Sequence, residues 1–285
     1  MTGVAELEAL KQWIGRTQTA DDIVAEDRVR AMAATLDKER ALGSGDVLPL
    51  GWHWLFFNPA VRASELGPDG HPERGGFLPP VPLPRRMWAG GRLIFQRSLH
   101  VGERLRRESE IADVAVKQGK SGALVFVLVR HRVIGDNGLA LEEEHDIVYR
   151  PAPTGGSAAS MPERALAGAP WRRIVQPDAV LLFRYSALTF NGHRIHYDHP
   201  YATKVEGYPG LIVHGPLIAT LLLDLTTMHV SPEAVARFAF RALSPLFDMA
   251  PFSLNGAPAE DGRSARLWAA SVAGDLAMTA EATLR

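Results

Sequence analysis

Ten residues, TFNGHRIHYD (Thr189–Asp198), bring together Asn191, His193, Arg194, His196 and Asp198. Downstream, VHGP (Val213–Pro216) opens the apolar run LIATLLL. Histidine, with an unperturbed pKa of about 6.5, takes up and returns a proton near neutrality. A helix starting at Gly215-Pro216 has first N–H groups without intrahelical partners and a positive dipole end, which suit a developing negative charge. Proline fits a first turn, and glycine lets a ligand approach the backbone. Asn191 offers one acceptor oxygen and two N–H donors but is no base. An active site is one reading of this cluster, and a polar loop over a core is the other.

The chain must position these groups with a core of ordinary size. It has 285 residues, 46% hydrophobic and 22% charged, enough for one large domain or two halves. The net charge of -1 gives no sign of a nucleic-acid or membrane-surface partner. Two basic clusters, Arg85/Arg86/Arg92 and Arg104/Arg106/Arg107, read as solvated faces. The absence of cysteine removes disulfides, thiolate catalysis and zinc–thiolate sites. The histidines form no convincing closed ligand set, so no metal is expected. The first residues lack a basic-then-apolar signal pattern, and the apolar run from Leu211 is interrupted by His214 and Asp224. A soluble, cytoplasmic protein is the expectation.

The Pro/Gly/Ala/Ser-rich stretch 151–170 reads as a linker between residues 1–150 and 171–285. In the first half, residues 22–39 have helical spacing, and four strands are expected within 91–150. The last two flank Asp136-Asn137-Gly138, a hairpin signal. In the second half, AVLLFRYSAL (179–188) reads as a short strand, a helix is expected from about Pro216 to Met228, and three strands close the chain. Each half is thus a helix followed by antiparallel strands, an α+β arrangement of a sheet around a helix. AATLDK (33–38) resembles ALTFNG (187–192), which sets Asp37 opposite Asn191 and Leu42 opposite His196, so only the second half keeps its histidine.

TFNGHRIHYDHPYA followed by GYPGLIVHGPL resembles the motif region of the MaoC-like hydratases and dehydratases, hot-dog-fold enzymes acting on acyl thioesters. PLGWHWLFF and GGFLPPVPLPRRMWAGGR resemble the N-terminal half of a double-hot-dog group within that family. That group includes the mesaconyl-, methylfumaryl- and itaconyl-CoA hydratases and the 3-hydroxyacyl-thioester dehydratases. The resemblance implies a double hot-dog, two antiparallel sheets each wrapped around a central helix, with the catalytic motif in the second half. It sets His196 on the motif histidine, Asp198 on the following aspartate and Gly215 on the glycine whose N–H lines the oxyanion site. Asn191 falls where the family has its catalytic aspartate, and His193 and Arg194 replace Asn-Pro.

The implied activity is reversible hydration of a short, branched, carboxylate-bearing enoyl-CoA. The alternatives are a 3-hydroxyacyl-thioester dehydratase of fatty-acid synthesis, an acyl-CoA thioesterase, or an inactive acyl-thioester-binding protein. His196 would shuttle protons, Asn191 would orient water and the Gly215 N–H would face the thioester oxygen. Arg184 and Arg194 are candidates for the substrate carboxylate, with Arg85 and Arg86 as further ones. His193 and His214 are placed among the substrate contacts, against structural roles for both. Coenzyme A would enter only as part of the substrate, with no other cofactor. Two halves in one chain would replace the usual homodimer, and a homo-oligomer of such chains is also an expectation.

Overall fold

The computed structural model describes residues 4–119, 122–151, 162–166 and 168–285. A short helix α1 (Val4–Glu8) precedes β1 (Thr17–Ile23), α2 (Glu26–Thr35) and a single buried 3-10 turn, Trp52–Leu55. Then come β2 (Arg85–Phe95), β3 (Arg104–Gly119), β4 (Gly122–Gly135) and β5 (Gly138–Arg150). The second half has β6 (Trp171–Val175), α3 (Ala179–Leu188), α4 (Gly215–Thr227) and β7 (Val235–Ala242). It closes with β8 (Phe252–Pro258), β9 (Ser264–Ser271) and β10 (Leu276–Leu284). Most of the expected linker, residues 152–161 and 167, lies outside the described residues.

All strand pairs are antiparallel, in the order β1-β3-β4-β5-β2-β7-β10-β9-β8-β6. The order 1-3-4-5-2 of the first half recurs as 6-8-9-10-7 in the second, which is the double hot-dog. The two expected sheets are therefore halves of one continuous sheet, joined where β2 pairs β7 from Gly90↔Arg241 to Ile94↔Arg237. Glycine makes that seam possible: a Cβ on Gly90 would lie 2.6 Å from the Phe240 carbonyl oxygen.

Only the second half wraps its sheet around a long helix. In α4, Leu217 through Leu223 are all buried, as are Leu225 and Thr226, the all-round burial of a core helix. It packs on β6 through β10. The expected first-half helix forms, as α2, but it matches α3 rather than α4, and the two pack on each other. By order in the repeat, the counterpart of α4 is the single turn Trp52–Leu55. The first-half sheet therefore has no long helix across its inner face.

The stretch read as a strand, 179–188, is α3. Asp178 accepts from the Leu181 N–H at 2.7 Å as N-cap, and Leu182, Tyr185 and Ser186 share a buried face at i, i+3, i+4. The register of the repeat also shifts by one. Asp37 and Phe190 carry the left-handed φ, 54° and 48°. Lys38 N–H bonds to Ala33 O as Asn191 N–H bonds to Ser186 O. Lys38, not Asp37, is thus the counterpart of Asn191, and it reaches across to pair with Asp224 of α4.

Substituting Gly90→Val should cost about 1–3 kcal/mol through overpacking at the seam, and it should lower the unfolding midpoint of both halves together. Chemical denaturation followed by signals from each half would show it. An unchanged midpoint would mean that the seam tolerates a side chain.

Candidate active site

The motif loop is built on the end of α3. Thr189 Oγ1 donates to Tyr185 O at 2.7 Å, Phe190 turns the chain with positive φ, and Asn191 Oδ1 accepts from the His193 N–H at 3.0 Å. A single turn over Arg194–His196 then presents His196, which is 8% exposed. Its Nδ1 lies 2.7 Å from Ile212 O. A carbonyl only accepts, so Nδ1 carries the hydrogen and, in the neutral ring, Nε2 is left bare. Burial lowers the His196 pKa to about 4, against the upward pull of the Ile212 bond. The imidazole is therefore a neutral base at neutral pH.

Its ring stacks on His214, with centroids 3.7 Å apart. His214 is fully buried, held by Ser186 Oγ at 2.8 Å from Nε2 and by the edge of Tyr185. This makes His214 a structural platform rather than the substrate contact expected. It is also the N-cap residue of α4 and gives no side-chain cap bond, so the first helix N–H groups are not satisfied by it. Next to it, the space a Cβ of Gly215 would occupy holds no atom within 4 Å.

A cavity of about 650 Å³ lies between the two halves. The second half contributes Asn191, Gly192 and Pro216 to its wall, and the first contributes Trp54, Phe57, Arg107, Glu143 and His145. Gly192 and Pro216 bring the motif loop and the first turn of α4 to this wall, while His193, His196, His214 and Gly215 are not among the residues lining it. A first-half loop packs on the motif loop at Gly192, His193 and Arg194. Asp69 O accepts from the Arg194 N–H at 2.9 Å, and the His71 and His193 rings are 4.1 Å apart. Gly70 and Gly192 meet so closely that a Cβ on Gly70 would lie 1.9 Å from Gly192 O. Asp69, His71 and His193 offer ligand atoms within 4.8 Å of one another. His71 Nδ1 is already 3.0 Å from Asp69 Oδ2, and the Arg86 charge acts on both histidines. We read the trio as a clamp between the halves.

None of the candidate arginines, Arg85, Arg86, Arg184 and Arg194, is among the residues lining the cavity. Arg184 is exposed on α3, not on a strand. Arg194 is fully engaged: Asp198 at 2.7–2.9 Å, Pro68 O at 3.0 Å and the Tyr201 ring beneath it. Arg85 pairs with Glu206 at 3.1 Å. Arg107, read as part of a solvated face, is the arginine on the cavity wall. Glu143, His53 and His145 also line the cavity, and no sequence motif marks them. Strand alternation in LALEEEHDIVYR was the available signal, since it sends Glu143 and His145 to the same face.

A neutral histidine beside a helix start without a side-chain cap, on a doubled hot-dog, is an arrangement able to supply a base and oxyanion donors. The sequence matches the family described as Hydroxyacyl-thioester dehydratase type 2 over residues 51–248, and the chain belongs to that family. It is 47% identical over 256 residues to the mesaconyl-C(4)-CoA hydratase of Chloroflexus aurantiacus, covering 87% of this chain and 89% of that protein. It is 30% identical over 230 residues to the mitochondrial hydroxyacyl-thioester dehydratase type 2 of Schizosaccharomyces pombe, covering 72% and 76%. Among solved structures, a MaoC-like dehydratase superposes with a TM-score of 0.71 at 16% identity, covering 98% and 99%. A Mycobacterium tuberculosis protein described as a double hotdog fold superposes at 0.59 with 14% identity, covering 98% of each chain. Among the described residues no helix is long and apolar enough to cross a membrane.

Burial holds His71, His131, His193, His196 and His214 below the ordinary imidazole pKa. The unfolded chain takes up protons at these sites below about pH 6.5, while the folded chain stays neutral there. The stability they contribute is complete above that pH. It should decline as pH falls toward 4, at about 1.4 kcal/mol per pH unit for each proton of difference. Urea midpoints measured from pH 8 to 4.5 should be level above 7 and fall steeply below 6.5. A level midpoint throughout would contradict the buried, neutral state of these rings.

Proposed function

We propose that this chain catalyses the reversible addition of water to a short, branched enoyl-CoA bearing a free carboxylate, of the mesaconyl-C(4)-CoA type. The observation that carries the chemistry is the base-form His196 set beside the uncapped start of α4. The extent of the likeness to the Chloroflexus hydratase supports the substrate class. In the hydration direction, His196 Nε2 takes a proton from water and the oxygen adds to the β-carbon. Charge moves to the thioester oxygen, where the Gly215 N–H and the positive end of α4 receive it. The imidazolium then delivers the proton to the α-carbon. Asn191 commits Oδ1 to the His193 N–H, which leaves its NH₂ to hold the water.

This proton traffic needs one base, so the aspartate that the family motif carries at position 191 is dispensable here. Coenzyme A enters as part of the substrate, and no metal or redox group is needed by the steps. With net charge near zero, a diffusible acyl-CoA in the cytoplasm fits as the partner better than nucleic acid or a membrane. The second reading, a 3-hydroxyacyl-thioester dehydratase of longer chains, draws on the size of the 650 Å³ cavity and on the fission-yeast relative. Thioester hydrolysis is disfavoured by Asn191, which cannot activate water as a carboxylate would.

The deciding experiment is turnover on mesaconyl-C(4)-CoA, crotonyl-CoA and a long trans-2-enoyl-CoA, followed by loss of the conjugated absorbance. The carboxylate-bearing substrate should be preferred, and equal or better turnover of the long chain would favour the second reading. His196→Ala should reduce kcat by about 10²–10⁴-fold with binding largely kept. Asn191→Ala should lose less, and Asn191→Asp should retain measurable hydration. Near wild-type kcat in His196→Ala would remove that residue from the chemistry. In protein verified as folded at each pH, the acid limb of kcat/KM should lie near 4, the His196 value. Activity is lost on protonation, so it falls as pH drops through that value. A limb at the ordinary imidazole pKa of about 6.5 would mean an exposed base.

A further inference from the structure

At the first-half end of the cavity the inner face of the sheet carries a polar cluster where a core would be apolar. Glu143, 3% exposed, accepts from Trp54 Nε1 at 2.7 Å and contacts His53 Nε2 at 3.1 Å and His145 Nε2 at 2.5 Å. Each contact is consistent with a nitrogen donating to the carboxylate. Both its oxygens are engaged, and the donors hold its pKa well below the usual carboxylate range despite burial. Beside it stands Arg107 on β3. Alternation sends Arg104 and Arg106 outward and turns Arg107 to the same side as Leu105 and Ser109.

Arg107 is poorly partnered for a sheltered guanidinium. Its Nη2 reaches Phe57 O at a long 3.3 Å, and its Cζ lies 5.0 Å from the centre of the Phe57 ring. Its Nε is buried without a partner. Among the described residues no carboxylate lies within ion-pair distance of it, whereas Arg92, Arg106, Arg132 and Arg194 all have one. It is the only arginine or lysine among the residues lining the cavity that also presents Asn191 and Pro216. Burying a cation without a partner is costly, and a guanidinium presents donors that match both oxygens of a carboxylate. The missing acceptor is therefore expected to arrive with the ligand.

The geometry points to Arg107 as the residue that binds the free carboxylate of the acyl group and sets the preference for acids over neutral enoyl thioesters. The assignment rests on the proposed carboxylate-bearing substrate. Burial lowers the Arg107 pKa, and the charges of Glu143 and Asp22 offset this only in part. A carboxylate held at the first-half end leaves the thioester toward Asn191 and Pro216, the second-half part of the wall.

The test compares kcat/KM for mesaconyl-C(4)-CoA and crotonyl-CoA in wild type and in Arg107→Met, with thermal melts as the control for folding. The ratio should fall by about 10- to 150-fold, the factor a charged hydrogen bond contributes. The loss should fall chiefly on the KM for the acid, with crotonyl-CoA, which offers Arg107 no acceptor, losing far less. Arg107→Lys keeps the charge without the fork and should show a smaller fall in the ratio. It serves alone if Arg107→Met does not fold. Equal loss on both substrates in folded protein would make Arg107 a structural cation and overturn the assignment. So would an unchanged ratio in the variants while wild type prefers the acid, which leaves the proposed function standing. A wild type with no preference for the acid would instead overturn the substrate reading and this assignment together.

Discussion

The site depends on one hydrogen bond, from His196 Nδ1 to the Ile212 carbonyl. That bond fixes the tautomer, aims the bare Nε2 away from the backbone and ties the motif loop to the segment entering α4. On the proposed roles, it joins the base to the oxyanion donors. Burial then keeps the ring neutral, at the cost of basicity. His214 serves both parts: it is the face on which His196 stacks and the residue from which α4 starts. Ser186 and Tyr185 of α3 hold it in place.

The duplication explains how such a site acquires room for a substrate. Both halves keep the same strand order and the same helix-end turn, at Asp37 and at Phe190. They differ in what fills the sheet. The second half fills its own with α4, which fixes the helix start. The first half reduces the corresponding helix to one turn, Trp52–Leu55, and lines the vacated face with Glu143, His145 and Arg107. On the proposed roles, the second half supplies the chemistry and both halves line the cavity. The departures from an apolar face at Glu143, His145 and Arg107 lie on the cavity wall.

Much of this was legible in the sequence because it is local. The polar motif, the His-Gly-Pro helix start and the long strands around Asp136-Asn137-Gly138 all carry their signals within a few residues. Three kinds of feature were not. The apolar AVLLF of α3 suits a strand as well as a helix, and only the Asp178 cap settles it. The edge strands β1 and β6 are short and half exposed, so they lack a clear apolar face. The groups facing the motif come from Asp69, His71, Arg107 and Glu143, far off in the chain, and no spacing rule brings them together. Arg107 is the instructive case, since RLRR looks like a charged surface until the strand's alternation is followed residue by residue.

The central claim is that His196 waits as a neutral base with Nδ1 protonated and Nε2 bare. Nitrogen-15 NMR of imidazole-labelled protein, assigned with His196→Ala, measures this directly. The account predicts, at pH 7, a His196 signal pair with a protonated Nδ1 and an unprotonated Nε2, unchanged on acidification until the approach to about 4. An imidazolium at pH 7, or a proton on Nε2 instead, would contradict it.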